Sequence, residues 1–595
     1  MKCCIMLFQD KIALITGSGT GIGQAIAKKF VENGAGVIIL GRRAEPLEET
    51  AKMLREIIEK IGSKASVKIF SGVDVADEKA VTDMFDSLAD SKTEIDIIVN
   101  NAGVSGPVTC FANDDLKEFR DTVDIHLTGT FWTSRESLKV LKKGAKIITI
   151  STFFTEERPL EQRPYRFRDP YTASQGAKNR LAEAMSWELT EKKIISIATN
   201  PGPVHSDRIY KTVYPKAASE FLRVSGFEDL EPAQVEAVNK EIVPLLGEDE
   251  DVIKKGITQV AEKFSSEGKD SAKMAETLTN LLSKIKIVAE KIQTNTSKMI
   301  ADEQFLSQAQ VAETILTLSG DEMAAILNGK VIPGDRVFYP VRGHIGNATP
   351  TVNQFDFGGR CVLFTIDATD KSDADRAEYL AQHVEKNNGK AVCIISKNCP
   401  KEIQDSISSK FHSHVSNLGN PEEIDRWLES ASTNMGKIIA TIHMTGNLPD
   451  IANLMEISRK EWDGLVDKFI NNTATIIQRS MEHFVPGGAK DPRLFKDKTG
   501  TIITVGPDLP VGRKVSGAQR ARVEVFRGAL RPFTATINQE LSDVLNSKIR
   551  SFTVLPGRVD GGEPDNEKIA KALDYLVSED ASSSAEVIFC VDETR

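Results

Sequence analysis

Residues 15–23 read ITGSGTGIG, a run of glycines between an apolar stretch and the helix-forming segment QAIAKKFVENG. Strand, glycine-rich loop and helix, in that order, form the setting in which backbone amides hold a dinucleotide. Gly17 allows the tight turn, Gly21 lets the backbone approach a pyrophosphate, and Gly23 permits close helix packing, with Ser18 and Ile22 between them. The anion would rest on the helix N-terminus, where N–H groups and the helix dipole favour negative charge. At the end of the next apolar run, VIILGRRAEPL places Arg42 and Arg43 where a carboxylate would serve a free ribose 2′-hydroxyl. Guanidinium groups suit a 2′-phosphate instead, so the pattern predicts NADPH/NADP+. Three further strings stand at strand ends: Asp74 and Val75 in GVDVAD, Asn101, Ala102 and Gly103 in NNAG, and Pro201, Gly202 and Val204 in NPGPV.

A sheet must position these loops. The first 210 residues alternate β-branched runs (KIALIT, GVIILG, SVKIFSG, IDIIVNN, AKIITIS, IISIATNPG) with longer amphipathic stretches. Such alternation predicts parallel strands joined by helical crossovers, hence a doubly wound α/β sheet. Between Tyr210 and Gln304 the charged helical sequence, VIKKGITQVAEKF for example, carries few strand signals and predicts a helical insertion over 210–304 that acts as a lid. AQVAETILTLSGDEMAAILNGKVIPGDRVF then predicts a last helix and strand returning to the first sheet, closing a domain over 1–350.

A second domain, 355–595, repeats the pattern with GRCVLFTIDAT, AVCIISK, KIIATIHMTGN, GTIITVGPDLP and SFTVLPGRVDGG. Thr16, Asn100, Thr149 and Pro201 recur in order as Thr365, Thr441, Thr504 and Pro556, which predicts an internal duplication. The expected architecture is two tandem Rossmann-like, doubly wound parallel-sheet domains, the second degenerate. Its first turn, FTIDATDKSDADR, lacks glycine, TIHMTGN replaces NNAG, and GAQRARVEVFRGALRP has no tyrosine, so no cofactor is expected there.

Through its glycine loop, NNAG and NPGPV taken in order, the chain resembles the short-chain dehydrogenase/reductase family over most of residues 8–210 and 305–335. The resemblance implies that these segments hold the adenine, order the central sheet and flank the nicotinamide. Members commonly reduce a carbonyl with a tyrosine proton donor and a lysine four residues later that grips the ribose. A serine polarises the carbonyl, and an asparagine anchors a water relay. By motif, Tyr171 in YTASQ matches the donor, Gln175 falls on the lysine, Thr152 in ITISTFF falls on the serine with Ser151 beside it, and His126 in DIHLTGTF falls on the asparagine. Gln175 keeps the ability to bind ribose, but a neutral amide cannot stabilise a tyrosinate, and free tyrosine ionises only near about pH 10. Two replacements stand open. Lys178 lies seven residues after Tyr171, about 10 Å along the helix axis, and reads first as a surface or phosphate-facing residue. A protonated His126 is the other, and it reads equally well as a satisfied core histidine.

The tandem arrangement, the insertion after NPGPVHSDRIY, and the strings ILNGKVIPGDRVF and RPFTATINQEL are similar to one half of the bacterial malonyl-CoA reductases. Those enzymes pair a catalytic module with a degenerate one and use NADPH. The resemblance implies a reductase of a carboxyacyl-CoA, of malonyl-CoA or succinyl-CoA type, or of the corresponding semialdehyde. A reductase of another small carbonyl or hydroxy compound, and a cofactor-binding pseudoenzyme with a structural or regulatory role, are the alternatives. Arg208 in VHSDR is the candidate for contacting an anionic substrate group.

Bulk properties narrow the classes further. At 595 residues the chain is too long for one core, and its net charge of −10 disfavours a nucleic-acid surface. No apolar run approaches the roughly 18 residues a membrane helix needs. The opening MKCCIMLFQDKIALITG is broken at Gln9, Asp10 and Lys11 and lacks a small-residue cleavage site, so a cytoplasmic protein is expected. Seven cysteines without ligand spacing predict neither a disulfide framework nor a metal site. The expected partners are a small-molecule or acyl-CoA substrate and, in keeping with the family, further copies of the chain.

Overall fold

The computed structural model describes residues 7–591, apart from 154, 156–165, 205–208, 226–229, 247, 266–269, 299, 301, 335–353, 452, 486–490, 512–514, 560–564, 579–580 and 582–587. Arg208 lies outside the described residues.

The β-branched runs form buried parallel strands in two sheets. The first contains β1 (Ile12–Thr16), β2 (Gly36–Gly41), β3 (Val67–Ser71), β4 (Ile95–Asn100), β5 (Leu141–Ile150), β6 (Ile195–Pro201) and β7 (Val331–Gly334), in the order β3-β2-β1-β4-β5-β6-β7. Helices α1 (Gly21–Glu32), α2 (Ala44–Ile61), α3 (Glu78–Asp90), α4 (Leu116–Val123), α5 (Gly129–Ser137) and α6 (Asp169–Glu188) make the crossovers. This is the doubly wound arrangement expected, with the strand order reversing between β1 and β4. After β6 the described residues form α7 (Tyr214–Ser225), α8 (Pro232–Ala237), α9 (Glu250–Ser265) and α10 (Ser271–Ser297). Their apolar residues, Val238, Ile257, Leu278 and Ile285 among them, form a core of their own. Then α11 (Gln308–Leu318) and α12 (Asp321–Ile326) lead into β7.

The second sheet repeats the plan with β8 (Cys361–Ile366), α13 (Lys371–Lys386), β9 (Lys390–Ser396), α14 (Lys401–Ser408), β10 (His412–Ser416), α15 (Pro421–Met435), β11 (Ile438–Met444), α16 (Arg459–Val466), α17 (Asn472–His483), β12 (Thr499–Val505), β13 (Leu509–Val511), α18 (Gly517–Gln539), β14 (Lys548–Val559), α19 (Asn566–Val577) and β15 (Ile588–Val591). Its order is β10-β9-β8-β11-β12-β14-β13, with β15 also on β14.

Strand register supports the duplication and corrects one landmark. Asn100 pairs with Thr149 and Thr149 with Ala198, three residues before Pro201. In the second sheet Thr365 pairs with His443, His443 with Thr504, and Thr504 with Thr553, three residues before Pro556. The counterpart of Asn100 is therefore His443; Thr441 sits two residues earlier, opposite Leu363. Both halves also carry a π-helical turn at the same place, Asp124–Thr128 after α4 and Asp467–Asn471 after α16.

The two halves share one core. Phe131 stacks on Trp462 with ring centroids 3.8 Å apart, and the buried Trp462 indole donates to Thr128 Oγ1 at 3.2 Å. Helices α6 and α18 touch backbone to backbone at Gly176 and Gly528, where a Cβ on either would strike the other. Glu188 at the end of α6 accepts from the N–H groups of Leu454 and Met455 and from Arg522 Nε.

Candidate active site

The glycine loop and NNAG are tied together by Thr16. Its hydroxyl accepts from the N–H groups of Asn101 at 2.9 Å and Ala102 at 2.8 Å, while Asn101 Nδ2 donates to the Thr16 carbonyl at 2.9 Å. Gly17 adopts φ +65°, and a Cβ there would come within 2.9 Å of Ala102 Cα. A Cβ on Gly23 would lie 2.5 Å from the Gly17 carbonyl, so Gly23 acts through packing and does not line the cleft. Ser18 corrects an expectation. Its hydroxyl donates to the Ile15 carbonyl and accepts from the Leu40 N–H, which joins β1 to β2 and leaves the side chain buried away from the cleft.

The N-terminus of α1 is open. Thr20 makes no side-chain cap bond and the first turn holds no acidic residue, so no side chain claims the leading N–H groups. Gly17, Gly21, Ile22, Arg42, Arg43, Asp74, Val75, Asn101, Ala102 and Gly103 line a continuous cleft of about 880 Å³. Arg42 reaches Asp74 at 3.5 Å across its rim. Pro201, Gly202 and Val204 border the other end, together with Ser151, Thr152, Tyr171, Gln175 and His126. The sheet thus brings the loop residues and the tyrosine cluster into one crevice at the C-terminal strand ends. Ile209 and Val213, leading into the helical insertion, close one side.

Within the cluster, bonds decide roles. Gln175 Nε2 lies 3.1 Å from His126 Nδ1, and His126 Nε2 lies 2.9 Å from the Val104 carbonyl. Val104 also donates its N–H to His126 Nε2 at 3.2 Å, so both ring nitrogens are engaged by Gln175 and Val104 and the buried imidazole is fixed in place. Gly103 packs against this ring, since a Cβ there would come within 2.5 Å of His126 Cε1. Ser151 donates its hydroxyl hydrogen to the Gln175 carbonyl at 3.0 Å, so Thr152 is the better placed of the two hydroxyls to donate to a ligand.

Lys178 is not at the surface. It is 1 % exposed, its Nζ donates to the Ile150 carbonyl at 2.6 Å, and burial pushes its ammonium down to about 7. Helix periodicity places it on the Tyr171 face, and that face turns inward against the end of β5.

Arg168, one residue before α6, was not legible as part of the site. It is 7 % exposed, its Nη2 donates to the Ser105 carbonyl at 2.7 Å, and its Cζ sits 3.9 Å from the centre of the Tyr171 ring. The His126 ring meets that tyrosine edge-on at 5.2 Å and 88°. The available signal was an arginine three residues before the tyrosine, which is one helical turn.

The matching crevice of the second half is filled. Asp373, in the first turn of α13, accepts from the N–H groups of Thr369 and Asn447, both at 2.8 Å. Arg376 is buried in a double ion pair with Asp508 at 2.8 and 2.9 Å. The space remaining amounts to about 10 Å³. His126 has Phe469 as its counterpart in the second π-turn.

Among the described residues, no helix is long and apolar enough to cross a membrane. The sequence model for short chain dehydrogenase matches residues 11–214. A 3alpha-hydroxysteroid dehydrogenase of Mediterraneibacter gnavus is 33% identical over 210 residues, which is 34% of this chain and 78% of the relative. Two solved structures have the same fold over nearly the whole length. The N-domain of bacterial malonyl-CoA reductase with NADP, at 17% identity and a TM-score of 0.69, covers 99% of this chain and 98% of its own. The C-domain of that reductase with NADP, at 15% identity and a TM-score of 0.72, covers 99% and 100%. The loop, the tyrosine and the strand order agree with the sequence match: this chain belongs to the short chain dehydrogenase family.

Proposed function

We propose that the chain is an NADPH-dependent reductase of a carboxyacyl-CoA, of malonyl-CoA or succinyl-CoA type, or of the corresponding semialdehyde. The observation that carries the reading is the single cleft that joins the uncapped N-terminus of α1 and Arg42/Arg43 to Tyr171 and Thr152. The residues fit a phosphorylated dinucleotide: free helix N–H groups for the pyrophosphate, guanidinium groups at the end of β2 for a 2′-phosphate, and Gly21 opening onto the cleft at φ +66°. Bound there, NADPH would supply the hydride. Thr152 donates to the carbonyl oxygen of the substrate, and Tyr171 delivers the proton that this oxygen takes up. From a thioester this gives a hemithioacetal, whose C–S bond then breaks to release the CoA thiol and leave the semialdehyde. The Gln175–His126–Val104 chain fixes the floor beneath the tyrosine. Likeness of fold to both malonyl-CoA reductase domains supports the carboxyacyl-CoA reading. The relationship to a hydroxysteroid dehydrogenase favours, as a second reading, a different small carbonyl compound.

One dinucleotide per chain follows from the second half. There the Asp370 side chain caps α13 by accepting from the Asp373 N–H, and the Asp373 carboxylate holds the N–H groups of the flanking Thr369 and Asn447. Acidic side chains thus occupy the place of a pyrophosphate.

The test is NADPH oxidation with malonyl-CoA, succinyl-CoA, malonate semialdehyde and succinate semialdehyde. Turnover of at least one, reduced on the order of a hundredfold or more in Tyr171→Phe, is expected. Equal turnover by Tyr171→Phe, or none by the wild type, would contradict the reading.

A further inference from the structure

A carbonyl reductase that uses a tyrosine as its acid must stabilise the negative charge left on the phenol as the proton departs. Resting on the reading of Tyr171 as that acid, three neighbouring groups are candidates. His126 has both ring nitrogens engaged by Gln175 and Val104 and meets the tyrosine ring only by its edge, 5.2 Å between centroids. Lys178 is two turns farther along α6, about 10 Å on the helix axis, with its Nζ on the Ile150 carbonyl. Arg168 is different, because its guanidinium carbon lies 3.9 Å from the Tyr171 ring centre.

We infer that Arg168, acting through Tyr171, supplies the positive charge that a lysine at position 175 supplies in other members of the family. The geometry has the required features. Arg168 sits one turn before Tyr171 at the entry to α6, and its Nη2 bond to the Ser105 carbonyl holds the side chain in place. At 7 % exposure it is weakly screened by water, and a guanidinium keeps its charge at any working pH. A cation over the face of a neutral phenol is already attracted to the ring. As the proton leaves, the charge on the phenolate spreads into that ring and the attraction grows. The interaction is thus stronger in the transition state than in the ground state, which is the condition for accelerating the step. The His126 edge on the same ring holds the phenol in one orientation. Gln175 can then be spent on positioning His126 without loss of a cation from the site.

The experiment compares wild type, Arg168→Met, Arg168→Lys, Gln175→Lys and the Arg168→Met/Gln175→Lys double variant in NADPH oxidation with malonyl-CoA and succinate semialdehyde. NADPH affinity is measured by fluorescence alongside. Arg168→Met is expected to lower kcat on the order of tenfold to hundredfold while KM for NADPH stays within about threefold. Arg168→Lys should keep most of the activity. In the Arg168→Met background, Gln175→Lys should restore much of what Arg168→Met loses, because one cation substitutes for another. If Arg168→Met fails to bind NADPH, the comparison passes to Arg168→Lys against Arg168→Gln, with the lysine variant the faster. Wild-type kcat in Arg168→Met, or no restoration by Gln175→Lys, overturns the inference while Tyr171→Phe remains inactive. A wild type without turnover overturns the reductase reading, and the inference falls with it.

Discussion

Lys178 strains the fold most clearly among the side chains around the cleft. An ammonium buried at 1 % exposure with one carbonyl partner prefers to lose its proton, and its value falls from 10.5 to about 7. The unfolded chain therefore binds more protons than the folded one between about pH 7 and 10.5. Stability contributed at this site is lowest below pH 7 and recovers as the pH rises through that window. The full penalty is roughly 3–5 kcal/mol. Lys178→Met should raise the melting temperature by several degrees at pH 6, with the gain shrinking by pH 9.5. A variant less stable than wild type at pH 6 would contradict this. The motif positions Tyr171, Thr152 and His126 were legible because a shared backbone fixes where such residues point. Arg168 and the buried state of Lys178 were not, since one depends on a cation meeting a ring face and the other on how tightly α6 seats against β5.

Helix α6 couples the site to the second half. Its first residue, Asp169, is fully buried and meets Glu540, just beyond α18, carboxyl to carboxyl. Glu540 accepts from the N–H groups of Phe111 and Phe167, which leaves Asp169 to share a proton with it. Asp114, which burial also pushes well above its ordinary value, lies nearby together with Glu220, which is paired to Arg223. Burial raises both members of the pair, Glu540 from 4.5 to about 7 and Asp169 well above its ordinary value. Here the folded state holds protons that the unfolded state has released, so stability falls as pH rises from about 4.5 to 7. Asp169→Asn replaces the shared proton with an amide donor. It should raise the melting temperature at pH 8 by several degrees and change it little at pH 5; destabilisation at both would count against the shared proton. No sequence pattern announces this contact, because it joins positions far apart whose partner is set by docking of the two sheets.

At the scale of the molecule, alternation of β-branched runs with amphipathic stretches made both parallel sheets legible, since central strands such as β4 and β8 are buried on both faces and read as continuous apolar runs. The edge strand β10, HSHVS, is half-exposed and carries no such run. Counting residue types misassigned one landmark: a threonine was matched to Asn100, whereas strand register selects His443. The sequence relationship covers the first third of the chain, and likeness of fold extends over all of it. That division matches the chemistry, with an open crevice in one half and a side-chain-filled one in the other. The central claim is that this open crevice delivers a hydride from NADPH to a carbonyl carbon with Tyr171 as the acid. Its most direct test uses NADPH carrying deuterium at the transferable position, with mass spectrometry of the product from malonyl-CoA or succinate semialdehyde. The account predicts deuterium on the former carbonyl carbon with wild-type protein and a loss of labelled product on the order of a hundredfold in Tyr171→Phe. Unlabelled product, or label transferred equally by both proteins, would contradict it.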